Sequence, residues 1–406
     1  MTDGAANPQA RVSAWSGWVL AGLFVLVPFA AWGGPLAFAP ILALAGLLTL
    51  RGLRIIDADR PAAISVVVIL AWSLGSMAWS PYTPSDLEGA TAFKLIAQAA
   101  LYWAVLCAAR DATPGTRAAA LRILAWSLAA LGLLISIETA TGAWVYRALR
   151  DAMGDPIRPD LAVKNVAQAG FVLALLTPAA ALGAIRTGES RWLILPMAAG
   201  SVGVGLLFAT DAPLVALVAA LASGLAVYRW PVVAPRVMAG MAATFFLGAP
   251  AIVWAAQKLG VYAMVEARMP LSWEMRMGYW RRAVAWIGDH PMRGWGLDAS
   301  RMFSPGIKLH PHDTALQLWL ELGLIGATAA AVFWATILAG LSQPTRDPAR
   351  AVGAATAAAY LTYSAFSFGV WQEWFLAIGA LAAAACLLAA RQRAAEAPST
   401  ARPLSE

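Results

Sequence analysis

Residues 314–340 read TALQLWLELGLIGATAAAVFWATILAG. Glu321 is the sole charge in the run, and at ~1.5 Å per residue the run is long enough to cross the ~30 Å hydrocarbon core of a bilayer. The sequence around it repeats the pattern. Further apolar runs near 14–32, 34–50, 62–79, 93–109, 119–140, 161–184, 192–208, 212–228, 237–256, 351–369 and 374–390 bring the expected total to about twelve spans. The whole chain is 60% hydrophobic and 13% charged, too little polar surface for a soluble protein of 406 residues. Its 19 tryptophans suit many membrane–water boundaries, where indole rings settle at headgroup level. The expected fold class is an all-α integral membrane protein. It comprises one transmembrane bundle over 1–406, a large loop over 257–313 carrying short amphipathic helices, and a tail over 394–406 of disordered composition.

Loop charge sets the orientation. Alternate loops carry Arg51, Arg54 and Arg60; Arg110, Arg117 and Arg122; Arg186 and Arg191; Arg229 and Arg236; and Arg346 and Arg350, while the tail carries Arg391 and Arg393. Placing these in the cytoplasm puts both termini there as well. In a soluble protein a net charge of +7 would raise nucleic-acid binding. Here the arginines are spread over short loops between spans, so membrane lipids are the expected partner and nucleic acid is not. The first apolar run lacks a convincing small-residue cleavage site and reads as an uncleaved span. Cys107 and Cys386 fall inside apolar runs and read as packing residues. No internal repeat relates the two halves, and charge within the spans is chiefly Asp211 and Glu321; both features count against a transporter.

One segment breaks the charge rule. The loop over 257–313 holds Lys258, Arg268, Arg276, Arg281, Arg282, Arg293, Arg301 and Lys308, yet alternation places it outside. Either the span count is off by one, or a basic loop persists there because it binds an anion. We take the second reading, since a guanidinium keeps its charge and grips phosphate oxygens bidentately. All three histidines, His290, His310 and His312, lie in the same loop, and imidazole accepts a proton from a hydroxyl near neutral pH. Pro311 disfavours helix at His310, and a helix begins at about Asp313 or Thr314, where Thr314–Gln317 reads as a capping box. The bland alternative for the pair is an interfacial histidine beside a capping aspartate. A His-x-His metal pair would lack further ligands at zinc spacing, so no metal is expected.

Within the following span Asp313, Gln317 and Glu321 share a helix face. Glu321 either orients an arginine or a sugar hydroxyl, or makes a structural hydrogen bond between helices. Upstream, LSWEMRMGYWRRAVAWIGDHPMRGWG (271–296) reads as an interfacial amphipathic helix with an apolar stripe of Trp273, Met277, Trp280, Val284 and Ile287. Arg276, Arg281 and Arg282 flank the stripe as candidate anion ligands, Arg293 follows, and Gly294-Trp295-Gly296 turns the chain. A third cluster, RPDLAVKNVAQAG (158–170), places Arg158, Lys164, Asn165 and Gln168 on the same side, as ligands or as snorkelling residues at a helix end.

Two of these stretches together resemble the O-antigen ligase/polymerase family of bacterial membrane proteins. Arg276, Trp280 and HPMRGWG are similar to that family's Arg-x-x-x-Trp…Pro-x-x-Gly-x-Gly segment, and His312-Asp313-Thr314 through Glu321 and Gly323 to its His-Asn-x-x-Leu-x-x-x-x-Glu-x-Gly segment. KNVAQAG is more weakly similar to a third segment. The resemblance implies an inner-membrane transferase with its large loop in the periplasm. Such an enzyme moves a glycan from undecaprenyl diphosphate to a lipid A-core or other glycan acceptor, without cofactor, metal or nucleotide sugar. Arg276 would hold the diphosphate and His312 would assist attack. Arg158, Lys164, Asn165, Arg281, Arg282, Arg293, His310, Asp313 and Glu321 are the substrate-binding candidates. A polymerase or a protein O-oligosaccharyltransferase would differ only in acceptor. There are two departures: Thr210-Asp211-Ala212-Pro213 stands where the family carries a Ser-Arg pair, and Asp313 replaces asparagine.

Overall fold

The computed structural model describes residues 8–86, 89–266 and 271–392, which are joined as helices and turns with no strand among them. The tail over 394–406 and Arg268 lie outside the described residues. The first seven helices are α1 (Pro8–Gly33), α2 (Phe38–Thr49), α3 (Arg60–Ser76), α4 (Thr91–Asp111), α5 (Pro114–Thr141), α6 (Trp144–Ala152) and α7 (Pro159–Arg186). Then come α8 (Ile194–Leu207), α9 (Asp211–Arg229), α10 (Val233–Lys258), α11 (Val261–Glu266) and α12 (Leu271–Ile287). The chain closes with α13 (Thr314–Ala339), α14 (Pro348–Phe366) and α15 (Glu373–Arg391).

Ten of these helices, taken with their flanking turns, are long and apolar enough to cross a membrane: α1 to α5, α7, α9, α10, α13 and α15. Their outer faces leave large apolar side chains such as Phe29, Leu36, Leu221 and Leu225 uncovered, as lipid contact requires. Two of the expected spans are not among the ten. The run near 192–208 forms the shorter Arg191–Leu207 segment, whose α-helical part has 14 residues and reaches only ~21 Å at ~1.5 Å per residue. The run near 351–369 forms α14.

Two clusters of helix ends can be told apart. In one, Arg54 at the α2–α3 turn pairs with Asp111 at the end of α4, Arg110 pairs with Asp59, and Arg186 at the end of α7 faces Asp347 before α14. Arg117 at the start of α5 donates to the carbonyl of Arg391 at the end of α15. In the other, the end of α3, the start of α13 and the turn between α14 and α15 meet the large loop. Because α3, α14 and α15 have one terminus in each cluster, the clusters are opposite ends of the bundle. At the loop end, α6 lies between α5 and α7 as a short, strongly amphipathic helix. Fully buried Glu138 of α5 accepts from the backbone N–H groups of Val145 and Tyr146 and from Trp32 Nε1, closing that helix's N-terminus.

Candidate active site

The site is organised by a break in α13. Gly323 sits at φ 65°, ψ −159°, a conformation open to glycine, and interrupts the helix three turns in. The break releases carbonyls that would otherwise bond along the helix, and in a membrane span these need partners. The large loop supplies them. Trp295 N–H donates to Leu320 O at 2.9 Å and Gly296 N–H to Glu321 O at 2.8 Å, while Trp72 Nε1 of α3 donates to Leu322 O at 3.0 Å. This docking brings backbone against backbone: a Cβ on Gly294 would lie 2.3 Å from the carbonyl carbon of Glu321. The Pro-x-x-Gly-x-Gly and Glu-x-Gly segments, read separately in the sequence, are therefore one interlocked unit.

Glu321 is its hub. The side chain is fully buried and takes four hydrogen bonds. Oε1 accepts from Ser300 Oγ at 2.6 Å and Gln317 Nε2 at 3.0 Å, and Oε2 accepts from Asp298 N–H at 2.8 Å and Trp371 Nε1 at 2.6 Å. Of the two roles open to it in the sequence, the structural one is observed. It ties the 298–300 turn of the loop and the 370–372 turn to α13, and no arginine among the described residues bonds to it. Gln317 completes the link by accepting from Val370 N–H at 2.9 Å. This corrects the expected capping box: Gln317 turns inward, and Asp313 caps α13 by accepting from Leu316 N–H at 2.9 Å. Asp313 is 7% exposed, burial pushes its carboxyl up to about 7, and it pairs with no arginine among the described residues.

Against this frame stands the histidine turn. His312 adopts φ 58°, a left-handed conformation uncommon outside glycine, immediately before the cap. Its Nδ1 lies 2.9 Å from Ser367 O, which can only accept, so Nδ1 carries the proton and Nε2 is left as the base. His310 Nδ1 accepts from His312 N–H at 3.1 Å, so its own proton sits on Nε2. Gln372 Nε2 is placed 3.1 Å from that nitrogen and Gln372 Oε1 has no partner, so the tautomer requires the amide turned end for end, with its oxygen accepting from the ring. Burial holds both imidazoles below the ordinary histidine value, His310 at about 3. For His312 the Ser367 bond works in the opposite direction, and nearby Arg276 adds to the lowering.

Helix α12 closes the site from the other side. Its expected stripe is buried, with Met277, Trp280 and Ile287 enclosed and Trp273 and Val284 packed on the same cluster. Trp280 Nε1 donates to Pro311 O at 3.0 Å, and Tyr279 stacks on His312 at 6.2 Å between ring centroids. Arg276, one turn before Trp280, is half-buried with its guanidinium over the Trp273 ring at 5.4 Å. It has no hydrogen bond or ion pair among the described residues. Burial lowers its pKa, and the carboxylate of Asp211, at the start of α9, acts in the opposite direction. The departure at Thr210–Pro213 thus places an anion, where the family has a cation, within electrostatic reach of Arg276.

Residues 195–331 match the O-antigen ligase family model. The matched segment contains α12, the histidine turn and the break in α13, which is the unit just described. Among curated proteins, a Rickettsia conorii protein named as a candidate polysaccharide ligase is 26% identical over 118 residues, covering 26% of this chain and 29% of that protein. The alignment therefore spans under a third of that relative's length. No solved structure matches the chain.

The remaining sequence candidates divide. Arg281 lies over the Tyr262 ring at 5.9 Å and exposed Arg293 over Trp79 at 5.7 Å. Arg282 is used structurally, donating to Gly306 O at 2.9 Å. Arg158 is exposed and paired with Asp160 at 2.6 Å, Lys164 is exposed on α7, and Asn165 lies 3.4 Å from Tyr146 Oη. None of these three contacts the histidine turn, so the structure does not gather them with Arg276. Sequence reasoning missed Ser367, Gln372, Trp371 and Ser300, which orient the site from distant positions. None has a charge or a local pattern that marks it. No group of three His, Cys, Asp or Glu among the described residues is arranged to hold a metal ion.

Proposed function

We propose that this protein is a glycosyltransferase of the bacterial inner membrane. It moves a polysaccharide from undecaprenyl diphosphate to a sugar hydroxyl of the lipid A core on the periplasmic face. The observation that supports this best is a half-buried arginine near an imidazole whose Nδ1–H is fixed, with neither an ion pair for the arginine nor a hydrogen bond for the imidazole Nε2 among the described residues. The acceptor oxygen attacks the anomeric carbon, the bond from that carbon to the diphosphate oxygen breaks, and its electron pair leaves with the diphosphate. His312 Nε2 takes the acceptor's proton.

Charge grows on the diphosphate as that bond lengthens, so a fixed guanidinium stabilises the transition state more than the bound donor. One such contact is worth about 2–4 kcal/mol, and a positioned base adds roughly a hundred- to ten-thousandfold. Burial serves the base as well, because an imidazole held below its ordinary value is unprotonated at neutral pH.

The test is a gel of envelope glycans from a deletion strain complemented with wild type, His312→Ala or Arg276→Ala at matched protein level. Wild type should restore polymer-capped core, and both variants should leave bare core with lipid-linked polymer. Restored capping by both variants would refute the assignment. Accumulation of single repeat units would mark a polymerase instead, and loss of glycoprotein with an unchanged ladder would mark a protein transferase.

A further inference from the structure

Behind the histidine turn lies a second polar chamber that the mechanism does not use. It is a cavity of about 70 Å³ lined by Thr91, Lys94 and Gln98 of α4, Arg301 of the loop, and Trp371 and Glu373. At ~10–15 Å³ for each water-sized probe, the space holds roughly five to seven waters, which is the edge of one sugar ring rather than an oligosaccharide.

Two observations give the cavity a chemistry. Its cations are already matched: Lys94 Nζ is 2.8 Å from Glu373 Oε1, and Arg301 Nε is 2.9 Å from Asp298 Oδ1. A phosphate entering here would meet carboxylates as well as cations, whereas a neutral hydroxyl can donate to the one and accept from the other. The second observation is Gln98, which is 8% exposed and whose Oε1 has no hydrogen-bond partner. Buried amides are almost always paired, and a glutamine kept for helix packing would close on a neighbouring helix. This one lines the cavity two turns into α4, with an acceptor to offer and an amide donor beside it.

The cavity is mechanically joined to the histidines. Gln372, between the two lining residues Trp371 and Glu373, meets His310 at 3.1 Å, and Trp371 Nε1 is held by Glu321 at 2.6 Å. The His310 and His312 ring centroids are 4.3 Å apart. Arg276 is on α12, which meets the turn through Tyr279 on His312 and Trp280 on Pro311 O, and Arg301 lines the cavity that Gln372 joins to His310. The order is thus arginine, base, second histidine, cavity. A displacement at carbon needs its leaving group and its nucleophile on opposite sides of the reacting centre, and this order provides for both.

We propose that this cavity is the subsite for a neutral sugar ring of the acceptor, binding one edge of a terminal pyranose through its hydroxyls. The assignment of the ring to the acceptor rests on the glycosyltransferase reading above; the binding itself does not.

The experiment is saturation-transfer-difference NMR on the full chain in lipid nanodiscs. The probes are the methyl α-glycosides of glucose, galactose and mannose at millimolar concentration. At least one glycoside should receive saturation from wild type. The signal should fall on the order of tenfold in Gln98→Leu and in Thr91→Val, because a site built on hydrogen bonds rejects the loss of a partner. Circular dichroism and thermal melting establish that each variant is folded. Absence of transfer from all three glycosides would overturn the proposal. So would a signal indifferent to both substitutions, or complete displacement by inorganic phosphate, which would make the cavity an anion site. Full glycan transfer by His312→Ala would remove the parent reading and leave the sugar site standing.

Discussion

Arg110 at one end of the bundle and Arg276 at the other are used in opposite ways. At the end away from the large loop, Arg110 belongs to a group of guanidiniums that are paired or hold helix ends, while Arg229 and Arg346 there lie over aromatic rings. Arg54 is bidentate on Asp111, Arg110 on Asp59, Arg122 lies 3.3 Å from Glu189, and Arg186, Arg117 and Arg391 donate to carbonyls at helix C-termini. At the loop end Arg301 is paired with Asp298 and Arg282 donates to Gly306 O, whereas Arg276 lies over the Trp273 ring with no hydrogen bond or ion pair among the described residues. A cation over a ring is held through its face, by about 0.5–2 kcal/mol, while its N–H donors point outward from the edge and stay available to a ligand. The difference separates arginines that fix the fold from one that is poised to bind. Positive charge alone does not tell the two apart.

The sharpest way to break that contrast is to remove one arginine from each end. Arg276→Gln should lower glycan transfer about a hundred- to a thousandfold, by analogy with loss of one oxyanion donor, with membrane protein level near wild type. Arg110→Gln should do the reverse. It strands Asp59 without its partner at the opposite end, so protein level should fall while transfer per molecule holds. Quantitative immunoblots beside the envelope-glycan gel separate the two. Equal loss of transfer per molecule in both would mean that the two arginines do not differ as described.

The bundle was legible in the sequence because lipid imposes a length and a composition on each span, and the runs over 14–32, 93–109 and 374–390 stand on helices. The amphipathic α12 was legible for the same reason, since its stripe repeats at the helical period. Reading failed where partners are remote in sequence. Thr314–Gln317 looked like a capping box because the local pattern fits one, but Gln317 serves Glu321 and Val370, the latter 53 positions away. Glycines 294, 296 and 323 stood out only as motif letters. Their physical reason, two backbones in contact, exists only once the loop has folded onto α13.

That interlock supplies the second test. Glu321→Gln keeps shape and volume but turns one acceptor oxygen into a donor, which then faces the N–H groups of Asp298 and Trp371. One buried donor left unsatisfied costs about 1–3 kcal/mol. The expected result is a melting temperature lowered by several degrees, with faster hydrogen exchange at the amides of Trp295, Gly296 and Asp298 and none at the Arg54–Asp111 end. Unchanged exchange in the loop would show that Glu321 does not hold it. The effect on transfer should be smaller than that of Arg276→Gln, because Glu321 acts through the turns it fixes.

The smallest expected effect is the most diagnostic of the local field. The chain has three histidines, so selectively labelled imidazole nitrogens can be followed one by one by NMR. His312 should titrate below the ordinary histidine value, and in Arg276→Gln its midpoint should move upward, because a repelling cation has gone while the Ser367 bond remains. His310, held at about 3 by burial, His312 and Arg301, should not move with that substitution. The sign carries over to stability. Both imidazoles are neutral in the fold and charge more readily once unfolded, so their contribution is complete above the ordinary value and is lost as pH falls below it toward the folded values. Transfer should follow the same direction, with an acid limb below pH 6.5 where His312 gains its proton. A His312 midpoint at or above 6.5, unmoved by loss of Arg276, would mean that arginine and imidazole do not share a site, and Arg276 would then be no different in kind from Arg110.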